Sequence, residues 1–193
     1  MARAVTAADA PRYGRMAAWL HWLIGLALLG QIAFGLLLDE LAPRGTPARA
    51  ATINLHKSIG LVLGLAILLR LAWRLGHAPP DWPLTMSALH RSAAQLGHRL
   101  LYACMLVVPL AGYLASNFSR HGVRLFGLHL PPWGPDSPTV YALLNGLHVG
   151  AALLLVALIA GHAAIAVRHA RLDPELGLRR ISPFARPLPE PPR

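Results

Sequence analysis

Ten histidines and one cysteine stand in a chain of 193 residues. Imidazole is therefore the ligand chemistry on offer. A single cysteine, Cys104, excludes an internal disulfide and any cysteine-based metal cluster. Four histidines, His21, His56, His148 and His162, sit inside long apolar stretches with few other polar groups nearby. An ionisable side chain is costly in such a segment, which makes each a functional candidate. One alone is equally well explained by a hydrogen bond to a neighbouring helix. The set carries more information than its members.

The elements that must position them follow from composition. Hydrophobic residues make up 55% of the chain and charged residues 13%, where a soluble domain carries about 25% charge. An ordinary soluble globule and a disordered chain are both excluded. Four apolar stretches, residues 16–38, 53–75, 93–116 and 140–168, are each long enough for a bilayer core. In lipid the backbone must satisfy its own hydrogen bonds, so each is read as a helix. The first is too long for a secretory signal and is read as a retained span. The predicted fold is all-α: an integral membrane four-helix bundle occupying residues 1–182 as one domain, followed by a Pro-rich disordered tail, 183–193.

Of the eighteen Lys and Arg residues, thirteen flank the N-terminus, the connection between the second and third spans, and the C-terminal end; five lie in the other two connections. This bias predicts that both termini are cytoplasmic. The same arginines meet anionic lipid. No basic stripe with interleaved aromatics lies on a soluble segment, so nucleic acid is not an expected partner. The connection 117–139 is long enough for a short interfacial helix or a cap.

That orientation gives each histidine a depth. His21 falls near the inner side, His56 and His148 near the outer side. His162 follows His148 by 14 residues, about 21 Å along a helix and about 40° short of four turns. It therefore returns to the inner side on the same helix face. The histidines form two pairs at matched depths, His21 with His162 and His56 with His148. Two imidazoles facing each other are what bis-histidine haem ligation requires. Zinc is the rival, but its sites use three or four protein ligands, and no carboxylate or thiol lies at either depth. Small residues one turn on, Gly25, Gly60, Ala152 and Ala166, with Gly64, leave room beside each ligand or serve close helix packing.

At this point the sequence resembles the bacterial cytochrome b561 family. The resemblance rests on residues 18–23 (Ala-Trp-Leu-His-Trp-Leu), 54–60 (Asn-Leu-His-Lys-Ser-Ile-Gly), 147–150 (Leu-His-Val-Gly) and 160–169 (Ala-Gly-His-Ala-Ala-Ile-Ala-Val-Arg-His), with 96–102 and 109–113 at the third span. It implies two haem b groups, His21 and His162 on the inner iron, His56 and His148 on the outer. It also implies electron transfer across the membrane with quinone as substrate. For members similar to superoxide oxidases, it implies superoxide as the outer donor and ubiquinone as acceptor. His169 matches a position that borders the quinone in that class. The Pro-rich tail and the 117–139 loop depart from the family pattern, and the loop leaves the outer donor open.

Further residues carry expectations. Arg70 and Arg74, one turn apart, suit haem propionates or positive-inside anchoring. Lys57 faces either outer propionates, an anion such as superoxide, or the interface by snorkelling. His169 is a candidate for proton exchange with quinone, or an interfacial residue beside Arg168 and Arg171. His98 is a candidate propionate or quinone contact. His77, His90, His121 and His129 lie in connections, and Cys104 is read as packing. Two other functions stay open: a haem b subunit anchoring a larger dehydrogenase or hydrogenase, and a haem-free transporter or scaffold.

Overall fold

The structure is a computed structural model describing residues 12–82, 86–172 and 178–184. Its elements in chain order are α1 (Arg15–Leu36), α2 (Leu38–Leu41), α3 (Ala48–Leu75), α4 (Ala88–Asn117), β1 (Val123–Leu125), β2 (Leu128–Leu130) and α5 (Pro138–Leu172), then a 3-10 turn at Leu178–Ile181. Four helices, α1, α3, α4 and α5, are long and apolar enough to cross a membrane. Each overlaps a predicted span, and α3, α4 and α5 extend beyond it at both ends or one. The extensions are amphipathic or polar turns, which a hydropathy reading omits. Helix α1 stops early, at Leu36, and α2 continues as a separate turn.

Local chemistry sets the boundaries. The Ser87 side chain accepts from His90 N–H and caps α4. Pro138 opens α5, where its missing N–H costs nothing. Gly76 follows α3. Pro109 lies inside α4, and Gly64 of α3 makes room for it: a Cβ there would come 3.1 Å from Pro109 Cβ.

The bundle is thin-cored. Many large apolar side chains point outward, Leu26, Leu65, Leu69, Leu143 and Ile165 among them, as helices facing lipid require. The buried cluster is small: Ile24, Leu28, Leu63, Ile67, Cys104, Met105 and Leu155. Helix α5 packs along α4; α3 packs on α4 and on α1; α5 is a close-packed neighbour of neither α1 nor α3.

The 117–139 connection forms a cap built on a β-hairpin rather than a helix. Val123 pairs with Leu130, Arg124 with His129 and Leu125 with Leu128. The tight turn is Phe126–Gly127, both at positive φ, 47° and 98°. A two-residue hairpin turn favours such angles because its twist matches that of the strands. The usual Asn-Gly or Asp-Gly signal is missing, which is why the hairpin was not legible. At the opposite end the chain folds back on α1: Tyr13 N–H donates to Arg180 O at 3.1 Å, Trp22 Nε1 donates to Ile181 O at 3.0 Å, and Phe184 stands edge-on to Trp19. The predicted tail beyond Phe184 lies outside the described residues.

Candidate haem-binding sites

One spacing organises the interior. Each long helix carries a triplet seven residues apart: His21–Leu28–Gly35 on α1, His56–Leu63–Arg70 on α3, His98–Met105–Gly112 on α4 and His148–Leu155–His162 on α5. Seven residues fall about 20° short of two turns, so each triplet keeps one face. The middle residues, Leu28, Leu63, Met105 and Leu155, all belong to the buried cluster. With the helices alternating in direction, the outer members gather at two ends. Gly35, His56, Gly112 and His148 meet at the hairpin end; His21, Arg70, His98 and His162 meet at the terminal end.

At the hairpin end the rings of His56 and His148 stand with centroids 6.2 Å apart. At the terminal end those of His21 and His162 are also 6.2 Å apart. An imidazole nitrogen binds a metal at roughly 2 Å, and the ring adds about 1.1 Å on each side, so one iron between two rings places their centroids roughly 6 Å apart. Both predicted pairs have that separation. Rings on α5 thus meet rings on α1 and α3 although α5 is in close backbone contact with neither helix.

The second test is room around the rings. A Cβ at Gly35 would lie 2.9 Å from His56 Cε1, and one at Gly112 would lie 2.9 Å from His148 Nδ1. Real Cβ contacts do not come that close, so these two glycines are cradles for the rings. The third is tautomer. His148 Nδ1 lies 2.8 Å from Val108 O. A carbonyl only accepts, so Nδ1 donates and Nε2 keeps its lone pair for iron. Among the described residues no three His, Cys, Asp or Glu side chains gather as a metal site. The chain's residues fit bis-histidine iron porphyrin ligation.

Residues around the pairs divide. Arg70 Nη2 lies 3.2 Å from His21 Nδ1. Arg74 Nη1 donates to the Tyr102 hydroxyl at 3.3 Å, and both guanidinium groups lie over the Tyr102 ring. The ion pairs among the described residues use Arg44, Arg49 and Arg120 instead. Arg70 and Arg74 therefore lie beside the terminal-end histidines, and among the described residues neither pairs with a carboxylate. His98 joins them, its ring 5.5 Å from that of His162. Lys57 Nζ donates to Gly122 O of the hairpin end at 3.0 Å. Ser58 Oγ lies 2.8 Å from Arg124 O and accepts from Phe126 N–H, and Asn54 Oδ1 accepts from Arg124 N–H. The residues flanking His56 thus strap the hairpin to α3. His169 is half-buried near the end of α5, two turns beyond His162. Asp136 bonds Arg120 at 2.6 Å and holds its guanidinium above the usual range.

Sequence reasoning missed Gln31, Gly35, Gly112, Trp22 and Tyr102. The fourteen-residue spacing of Gly35 from His21 and of Gly112 from His98 was the available signal.

A four-helix membrane bundle with a facing histidine pair at each end defines a class: membrane cytochromes of b type. Comparison with known proteins agrees. The family model for prokaryotic cytochrome b561 matches residues 12–183. The chain is 30% identical over 171 residues to cytochrome b561 homolog 2 of Escherichia coli (strain K12), covering 88% of this chain and 90% of that protein. It is 24% identical over 172 residues to cytochrome b561 homolog 1 of the same organism, covering 89% and 97%. The chain belongs to the prokaryotic cytochrome b561 family: it is a multi-pass, haem b-binding membrane protein of electron transfer.

Proposed function

We propose that this chain holds two haem b groups, one between His21 and His162 and one between His56 and His148, and carries electrons across a bacterial inner membrane to or from quinone. The observation that carries the reading is the equal 6.2 Å separation of two ring pairs at opposite ends of one bundle. Each iron porphyrin supplies one-electron chemistry between ferric and ferrous states. The chain's residues do the rest. The paired imidazoles would hold each iron as neutral ligands, without adding charge to the interior. The buried layer of Leu28, Leu63, Met105 and Leu155 separates the two sites and keeps water from the path between them. Arg70 and Arg74 at the terminal end supply cations for propionate carboxylates; Arg70 must leave His21 Nδ1 to do so, because a ligated His21 donates from that nitrogen.

The concentration of arginines at the terminal end supports a cytoplasmic location for it. There His169, beside Arg168 and Arg171, serves proton exchange with a reduced quinone. The hairpin end then faces outside, where an electron donor such as superoxide approaches. Lys57 is engaged by the hairpin and is not assigned to that donor.

Reconstitution in vesicles with ubiquinone tests the proposal. Superoxide generated on the hairpin side is expected to reduce the haems and then the quinone, and His169→Ala is expected to slow quinone reduction at least several-fold while sparing haem reduction. Haems that superoxide reduces but quinone leaves reduced would remove quinone from the account.

A further inference from the structure

Gln31 lies on α1 one turn before Gly35. Its Nε2 donates to His56 O at 2.7 Å and lies 3.1 Å from His56 Nδ1. Its Oε1 is buried and has no hydrogen-bond partner among the described residues. An acceptor left in that state costs about 1–3 kcal/mol, so the carboxamide has a bond still to make. Gly60 gives it space: a Cβ there would come 3.2 Å from Gln31 Nε2. Gly60 thus clears Gln31.

The two hairpin-end ligands differ in what faces Nδ1. His148 faces the Val108 carbonyl at 2.8 Å, which only accepts. His56 faces a carboxamide, which both donates and accepts. With Gln31 Nε2 donating to Nδ1, the imidazole proton sits on Nε2 and blocks the iron-binding lone pair. With the carboxamide turned, Oε1 accepts from Nδ1–H and Nε2 is free. The turn gives up the bond to His56 O, which remains within the hydrogen-bonded helix α3.

We propose that Gln31 is the positioning residue of the hairpin-end haem: in the loaded protein its Oε1 accepts from His56 Nδ1–H, fixes the iron-binding tautomer and sets the ligand's basicity. This rests on the reading that His56 and His148 share an iron. An acceptor at Nδ1 makes the imidazole more electron-rich, favours ferric iron and lowers the potential; such partners are worth about 10–100-fold in affinity.

The test uses the full-length purified protein as wild type, Gln31→Leu and Gln31→Glu, with haem per chain and a redox titration for each. Gln31→Leu is expected to raise one of two midpoint potentials, leave the other unmoved, and weaken haem binding at that site about 10–100-fold. Gln31→Glu, which keeps an acceptor, is expected to load fully and to lower that same potential below wild type. Loss of one haem in Gln31→Leu with loading kept in Gln31→Glu supports the proposal. Both potentials unmoved, both moved equally, or one haem lost in both variants overturns it. Wild type with a single haem per chain would instead sink the underlying reading.

Discussion

Glycine at position 112 shows how little room the ligand rings have. A methyl group there would sit 2.9 Å from His148 Nδ1, and one at Gly35 equally close to His56 Cε1. Gly112→Val is therefore expected to displace the His148 ring and weaken the hairpin-end haem at least about 10-fold, the range seen when a ligand's support is lost. The terminal-end haem should stay, and difference spectra of the purified variant measure both. The histidines were legible because imidazoles in apolar stretches stand out by type. Gly35 and Gly112 were not, because glycine is common in this chain and only their ring contacts separate them from Gly25, where a Cβ would meet nothing within 4 Å. Gln31 was invisible for a related reason: one amide on a helix face carries no spacing signal.

At the scale of elements, the hairpin is fastened to α3 by Asn54, Lys57 and Ser58, the residues on either side of His56. Ser58→Ala removes both the contact to Arg124 O and the acceptor for Phe126 N–H. It is expected to loosen the hairpin by about 1–3 kcal/mol, seen as faster protease cleavage near Phe126. Gly127, at φ 98°, adds a second handle: Gly127→Val is expected to cost at least about 1–2 kcal/mol through backbone strain. The helices were read correctly from hydropathy because lipid leaves no other backbone solution. The hairpin was not, since a Phe-Gly turn between three-residue strands has neither the length nor the turn residues that betray one.

For the whole molecule, the repeated triplet explains why so small a core suffices. One buried layer, with Leu155 fully shielded, locks four helices that turn many large apolar side chains outward. Leu155→Ala is expected to cost about 2–5 kcal/mol, read as a lower unfolding temperature in detergent, with both haems loosened together because the layer braces both sites. The four-helix architecture and the facing of the two histidine pairs were legible because hydropathy and a fourteen-residue interval are sequence quantities. The alignment of all four triplets became visible only once α4 was seen to place His98 and Gly112 at the two levels.

The most direct measurement is haem b per polypeptide in wild type and in His21→Ala, His56→Ala, His148→Ala and His162→Ala. Facing pairs predict two haems in wild type and one in each variant. The same residual spectrum should appear within a pair and different ones between pairs. A wild type holding one haem, or partners within a pair leaving different survivors, would contradict the account.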